Sequence, residues 1–141
     1  MKITSKSRSA VVAMVYLAAR DQKDQQAVPL KQIAQENNLS LHFLEQIFSK
    51  LRKSELVVSV RGSSGGYALA KEPQNIVIFD VINAIETIDV STRCANKSGC
   101  ISQTKRCLTH SLWENLDLKS HIFLKKTTLQ DVITNNYGKN C

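Results

Sequence analysis

Hydrophobic residues recur at helical spacing in the first part of the chain and predict three helices there. The clearest case follows Ser40, whose side chain is suited to cap the start of a helix. Four apolar residues behind it stand at positions i, i+3, i+4 and i+7 and form one buried stripe: Leu44, Ile47, Phe48 and Leu51. The predicted helices span residues 5–20, 30–36 and 41–54.

A change from helical spacing to short apolar runs predicts a β-hairpin after the third helix. Residues 57–61 and 67–70 are predicted strands, and the Gly-Ser-Ser-Gly-Gly segment between them is typical of a turn. Two helices with a short connection, followed by such a ribbon, have the layout of a winged helix-turn-helix. The hairpin would be the wing of that fold.

The rest of the chain is predicted to be helical apart from one polar, irregular segment over residues 89–106. A long helix over 107–126 carries apolar residues at steps of four, four and seven: Leu108, Leu112, Leu116 and Phe123. This stripe is longer than a core of this size requires, so we expect it to pair two chains; packing in the chain's own core is the alternative. Shorter helices are predicted over 79–87 and, with Thr128 as cap, over 129–135.

Composition and charge reduce the number of function classes that the sequence allows. The 141 residues are 43% hydrophobic and 22% charged, which is typical of a globular domain. The net charge is +7, and residues 1–71 hold 11 Lys and Arg against 5 Asp and Glu. A basic half attracts polyphosphates such as nucleic acid, although a Lys-rich solvated surface is the plainer alternative. The longest apolar run, 10–19, is too short to span a membrane, and no cleavage site follows it, so we expect a cytoplasmic protein.

The polar face of the third predicted helix is the candidate DNA-reading surface. The major groove admits one helix, whose first turns meet the base edges. Gln46 can pair with adenine through two hydrogen bonds, and Glu45 can accept one from cytosine. The candidate base readers are Ser40, His42, Phe43, Glu45 and Gln46, the candidate phosphate contacts are Lys50, Arg52 and Lys53, and Arg61 on the wing is the candidate for the minor groove.

Two other interpretations of this region remain open. The helix pair can be a packing unit with an ordinary solvated face. The glycine-rich turn can also cradle a nucleotide phosphate, but it lacks the Gly-Lys-Ser/Thr ending of a P-loop, which disfavours that interpretation.

Three cysteines and one histidine within 17 residues form the candidate metal site: Cys94, Cys100, Cys107 and His110. Three thiolates and an imidazole complete a tetrahedral zinc site or hold a two-iron cluster, and the spacing does not choose between them. His110 follows Cys107 by three residues at the start of a predicted helix, so the two side chains share a face. Reversible thiol sensing is a further alternative. Cys141 stands apart and is not a predicted ligand.

The sequence resembles the iron–sulfur cluster regulators of the Rrf2 family of winged-helix repressors. The resemblance covers nearly the whole chain and includes the opening Met-Lys-Ile-Thr-Ser-Lys. Its most specific parts are residues 40–53 (SLHFLEQIFSKLRK) and 107–113 (CLTHSLW). The wing, residues 60–67 (VRGSSGGY), also matches but is less specific.

The resemblance implies a homodimeric transcription regulator that carries a two-iron, two-sulfur (2Fe-2S) cluster, supplied by the iron–sulfur assembly machinery. It carries over Cys94, Cys100 and Cys107, with His110 as an unusual fourth ligand, and it supports operator contacts by the residues named above. In the family, cluster occupancy reports iron–sulfur supply. The cluster-bound form represses the cluster-assembly genes, and the cluster-free form still binds a second class of sites.

These patterns together predict a mostly α-helical fold with a small β-hairpin wing, built as a winged helix-turn-helix plus a long C-terminal dimerisation helix. The predicted parts are a DNA-binding domain (1–88), a cluster-binding loop (89–107), and the dimerisation and C-terminal helices (108–135). The alternative function is a winged-helix repressor whose cysteines sense oxidants or hold zinc. An enzyme is not expected, because the three histidines and the carboxylates show no catalytic arrangement.

Overall fold

The structure, a computed structural model, describes residues 3–24, 26–86 and 107–136. The predicted irregular segment with Cys94 and Cys100, and the terminal Cys141, lie outside the described residues. The helices are α1 (Ser5–Asp24), α2 (Leu30–Glu36), α3 (Leu41–Lys53), α4 (Ile78–Ile85), α5 (His110–Lys126) and α6 (Leu129–Ile133), the strands are β1 (Val57–Val60) and β2 (Gly66–Leu69), and a 3-10 turn spans Pro73–Asn75.

The predicted fold class is confirmed, and the element ends differ by only a few residues. Ser40 caps α3 as predicted, because its hydroxyl oxygen accepts a hydrogen bond from the Phe43 N–H at 3.5 Å. The first helix continues to Asp24, since the residues after Arg20 include neither proline nor glycine to end it. The long helix starts at His110 rather than 107, because the preceding residues form a turn closed by the His110 N–H on the Cys107 carbonyl at 3.1 Å.

The hairpin is a two-stranded antiparallel sheet in which Val57 pairs with Leu69 and Val60 pairs with Gly66. A third stretch of backbone joins it, because Val28 forms an isolated bridge with Tyr67. The Val28 and Tyr67 amides donate to each other's carbonyls at 2.8 and 2.9 Å. The wing is therefore fastened to the segment that enters α2.

Helix α1 lies at the centre of the molecule and contacts α2, α3, α4, α6 and β2. Its buried residues include Met14 and Leu17, and α3 contributes its whole predicted stripe, with Phe48 completely buried. The Phe48 ring meets that of Tyr67 with centroids 4.8 Å apart, so the core links the third helix to the wing. Burial of each such large side chain is worth roughly 1.5–3 kcal/mol.

The C-terminal helices are joined to the rest of the described structure by backbone hydrogen bonds around α4. The Ile78 N–H donates to the Thr127 carbonyl, and the Leu129 N–H donates to the Ile76 carbonyl, both at 2.9 Å. The turn between α5 and α6 is thus held beside the start of α4. None of the helices in the described residues is both long enough and apolar enough to cross a bilayer.

The start of α6 is stabilised by a capping box between Thr128 and Asp131. The Asp131 N–H donates to the Thr128 hydroxyl at 3.1 Å, and the Asp131 carboxylate accepts from the Thr128 N–H at 2.9 Å and from its hydroxyl at 2.7 Å. The backbone N–H and then the hydroxyl of Thr128 lower the pKa of Asp131 below its ordinary value.

We expect Thr128→Val to lower the free energy of unfolding by about 1 kcal/mol at about pH 7, because valine cannot accept from the helix start. The lowered pKa of Asp131 means that the box is strongest when this carboxylate is charged. Its contribution is therefore full above the ordinary carboxyl range and is lost as the pH falls through the folded-state pKa. Urea unfolding of both proteins across this range should show the difference shrinking as the pH falls; a constant difference would contradict the charge-dependent part.

Candidate nucleic-acid interface and metal ligands

The structure exposes the predicted reading face of α3 because the opposite face is filled by its apolar stripe. His42, Glu45 and Gln46 are exposed on the first turns of the helix. Phe43 is half-buried against the core, and the Ser40 hydroxyl is engaged as the cap. His42, Glu45 and Gln46 therefore offer exposed side-chain polar groups that the helix cap does not use.

Gln46 makes contacts on both sides of its amide group. Lys6, on α1, donates from Nζ to the Gln46 Oε1 at 3.4 Å. The Gln46 Nε2 lies 3.3 Å from the Nε2 of His42. The Nδ1 of His42 in turn lies 3.7 Å from the Oε2 of Glu45. Lys6 was not among the predicted site residues, since its link to Gln46 crosses 40 positions of sequence.

The predicted phosphate contacts differ in their surroundings. Arg52 and Lys53 are exposed in the last turn of α3. Lys50 instead donates from Nζ to the carbonyl oxygen of Ile85 at 2.8 Å. This carbonyl belongs to the last residue of α4, where helix carbonyls have no partner within the helix. Lys50 therefore links the reading helix to the end of α4 in this structure.

The wing carries Arg61 at an exposed position directly after β1. The turn that follows is closed by a hydrogen bond from the Gly65 N–H to the Gly62 carbonyl at 3.0 Å. Together with the Phe48–Tyr67 ring contact, this arrangement holds the wing beside α3. Helix α3 and the wing can thus contact two grooves of the same DNA duplex.

Two of the four predicted metal ligands lie within the described residues, at the start of α5. His110 is buried, and its Nδ1 is a buried nitrogen without a hydrogen-bond partner. Its Nε2 lies 3.8 Å from a carboxylate oxygen of Glu114. Cys107 is partly exposed, with its Sγ 3.6 Å from the Thr109 hydroxyl. Within residues 107–136 and the other described ranges, no cluster of three or more potential ligands occurs.

The orphaned nitrogen of His110 fits a metal ligand, because a buried imidazole nitrogen that lacks a partner is costly unless something binds it. An imidazole nitrogen and a cysteine thiolate are donors of the kind that zinc and iron–sulfur clusters accept. The donor set therefore fits the predicted site as far as the described residues extend.

The buried face of α5 is not the face that carries most of its apolar residues. The buried side chains are His110, Asp117 and Leu124, which recur every seven residues and were not predicted as a set. The seven-residue spacing was visible in the sequence, but a histidine and an aspartate do not mark a core face. Most of the apolar residues remain exposed: Leu108, just before the helix, and Leu112, Trp113, Leu116, Leu118, Ile122 and Phe123 within it.

A helix pair with an exposed polar reading face, a wing packed beside it and a long appended helix define a DNA-binding transcription regulator of the winged helix-turn-helix class. A family model, Rrf2, described as an iron-dependent transcriptional regulator, matches residues 3–135. The chain belongs to the Rrf2 family.

The similar proteins include two transcriptional regulators named IscR. The regulator of Sodalis glossinidius is 44% identical over 96% of this chain and 80% of its own length, and that of Vibrio parahaemolyticus is 46% identical over 96% and 79%. Among solved structures, CymR, the global cysteine regulator of B. subtilis, matches with a TM-score of 0.81 and 33% identity over 96% of this chain and 98% of that one. IscR of T. potens matches with a TM-score of 0.77 and 33% identity over 96% and 88%.

Proposed function

We propose that this protein is a cytoplasmic, homodimeric repressor that senses iron–sulfur status through a 2Fe-2S cluster and controls the genes of cluster assembly. The buried, unpartnered Nδ1 of His110 at the start of α5 is the observation that carries this proposal. The proposed ligands are Cys94, Cys100, Cys107 and His110, and the iron–sulfur assembly machinery is the proposed donor. The proposed division of the chain is 1–88 for DNA binding, 89–107 for the cluster and 108–135 for dimerisation.

The donor set supports a cluster at the start of α5. Two IscR proteins are 44% and 46% identical to this chain over nearly its whole length. When bound, the cluster makes the state of the protein depend on the supply of iron and sulfide. The chain's own part is to present a neutral imidazole and thiolates and to shield the imidazole from water, which the burial of His110 achieves.

Operator binding is proposed to use the exposed face of α3 together with the wing. His42, Glu45 and Gln46 are exposed on this face, where Glu45 and Gln46 can meet base edges, while Ser40 and Phe43 order the start of the helix. Arg52, and Lys50 if it exchanges the Ile85 carbonyl for a phosphate, would position the helix on the duplex. Arg61 would enter the adjacent minor groove.

The link between the two activities is proposed to run through the two ends of residues 87–106. One end follows α4, whose last carbonyl accepts from Lys50 of the reading helix at 2.8 Å. The other end leads to Cys107 and α5. A cluster held by cysteines of this segment and by His110 would act on both helices at once, and it would shift operator choice to the extent that it favours one arrangement.

Anaerobic purification followed by iron, sulfide and zinc analysis tests the proposal. We expect about two irons and about two acid-labile sulfides per chain in the wild type, and strong loss of both in Cys107→Ser and in His110→Ala. Cys141→Ser and His121→Ala are the matched controls, since neither residue is a proposed ligand, and both should keep the wild-type content.

The same measurement separates the alternatives. Stoichiometric zinc without sulfide would favour the zinc-binding repressor. A metal-free protein whose operator affinity changes with thiol oxidation would favour the oxidant sensor. Either result would overturn the cluster proposal while leaving the DNA-binding assignment intact.

A further inference from the structure

The side-chain amide of Gln46 is restrained from two sides before any DNA is present. Lys6 reaches it from α1 and donates to Oε1 at 3.4 Å, and His42, one turn earlier on α3, lies 3.3 Å from Nε2. Lys6 is half-buried, whereas His42 and Gln46 are exposed on the reading face. One of the two contacts therefore comes from α1, whereas Gln46 itself lies on α3.

The orientation of the Gln46 amide determines which tautomer of His42 fits beside it. In this orientation of the amide, the NH₂ group donates to the Nε2 of His42, which accepts in the tautomer without a proton on that nitrogen. The proton of the neutral ring is then on Nδ1, which lies 3.7 Å from the Oε2 of Glu45. Lys6 can only donate, so it selects the carbonyl side of the amide. Lys6 therefore selects this orientation of the Gln46 amide, and His42 supports it in the tautomer that carries the proton on Nδ1.

This orientation leaves Gln46 one acceptor site and one donor site. An amide oxygen has two lone pairs and an amide nitrogen has two hydrogens, and Lys6 and His42 each occupy one of them. Adenine requires one acceptor and one donor from a glutamine in the major groove. A flipped amide would exchange its oxygen and its nitrogen. Its NH₂ group would then face the Lys6 ammonium and its oxygen would face the Nε2 of His42, so neither contact could form as described. The restrained amide therefore presents its free acceptor and its free donor in one fixed order. This order matches an adenine at one base-pair position and on one of the two strands.

We propose that Lys6 and His42 are positioning residues that set the base preference of Gln46 for adenine. The inference rests on operator binding through α3, and it does not depend on the metal. Lys6 then serves the reading face without contacting a phosphate, and His42 acts through Gln46 and not on a base of its own. Both roles differ from those of ordinary exposed cations, which raise affinity for every sequence alike.

Operator titrations with systematic base substitution test this proposal. The informative position is the base pair at which Gln46→Ala loses discrimination. There, Lys6→Met and His42→Phe should each reduce the preference for adenine by about threefold to tenfold, the scale expected for freeing one restrained side chain. His42→Gln keeps an acceptor near the amide and should retain most of the preference.

A double-mutant design distinguishes positioning from direct contact. In the Gln46→Ala background, Lys6→Met and His42→Phe should leave the remaining preference at that position unchanged. Lys53→Met is the control for a plain cation, because Lys53 is exposed in the last turn of α3. It should weaken binding evenly across the substituted operators and reduce the salt dependence, which Lys6→Met should not do.

Several results would overturn the inference. Uniform weakening and a lower salt slope for Lys6→Met would make Lys6 a phosphate contact. A shift of base preference by His42→Phe that persists without Gln46 would make His42 a base reader itself. The inference also fails if Gln46→Ala changes no base preference. If the folded wild-type protein showed no preference for any operator over unrelated DNA, operator binding itself would fail, and the inference with it. Circular dichroism of each variant verifies folding.

Discussion

Leu116→Glu is expected to produce a folded monomer whose affinity for a two-half-site operator is at least about a hundredfold weaker than that of the wild type. Leu116 is 52% exposed on α5, so a glutamate there costs little within one chain. In a dimer held by this stripe, the carboxylate would be buried without a partner, which costs about 3–5 kcal/mol. Each 1.4 kcal/mol corresponds to about a tenfold change in an equilibrium constant, so the expected loss exceeds a hundredfold.

The position of Leu116 on α5 is the reason to expect a dimer interface. Leu112, Leu116 and Phe123 lie on one side of the helix, with Trp113 at its edge, and all four are exposed. The side used by the chain's own core contains His110, Asp117 and Leu124 instead. A soluble protein rarely leaves such an apolar stripe uncovered, and a helix-turn-helix module gains operator affinity when two copies read two half-sites.

Sedimentation measurements and operator titration together measure this effect. Leu116→Met is the matched control, because it changes the same exposed side chain but keeps it apolar and of similar volume. It should remain dimeric and bind the operator normally. A Leu116→Glu protein that stays dimeric at micromolar concentration would show that another surface pairs the chains.

Sequence reasoning predicted the elements best where short-range rules determine them. The cap at Ser40 and the stripe from Leu44 to Leu51 define α3 by local spacing alone, and the structure has both. The glycine-rich turn likewise defined the hairpin, because turn chemistry is set by a few neighbouring residues. These features position the candidate reading face, so local sequence rules are enough to locate it.

Long-range contacts account for what the sequence did not predict. Lys50 was expected at a phosphate, but its hydrogen bond to the Ile85 carbonyl joins residues 35 positions apart. The contact of Lys6 with Gln46 spans 40 positions, and neither has a signature in the local pattern. The buried face of α5 was missed for a related reason: burial of His110 and Asp117 depends on what packs against the helix, and polarity alone argues against it.

Gly66→Ala is expected to lower the free energy of unfolding by roughly 3 kcal/mol or more, whereas Gly62→Ala should cost only about 1 kcal/mol. Both glycines belong to the wing, and both have positive φ, 153° for Gly66 and 120° for Gly62. They differ in the space around a new side chain. A Cβ on Gly66 would lie 2.2 Å from the Val28 carbonyl oxygen, while a Cβ on Gly62 would meet nothing within 4 Å.

The larger cost arises because the clash falls on backbone that cannot move alone. Val28 exchanges two hydrogen bonds with Tyr67, the residue after Gly66, so moving Val28 away from the new methyl group breaks that pairing. Tyr67 also packs its ring on Phe48 of α3. Tyr67 therefore joins the wing to the entry of α2 through the bridge and to α3 through its ring, and loss of the bridge removes the backbone part of this attachment.

Urea unfolding of the two glycine variants, with hydrogen exchange at the Val28 and Tyr67 amides, measures the difference. Gly66→Ala should expose both amides to faster exchange, and Gly62→Ala should leave them protected. Equal destabilisation of the two variants would mean that positive φ alone sets the cost, because this strain is the feature that they share. A larger effect at Gly66, confined to those amides, would identify the bridge as the contact that holds the wing in reading position.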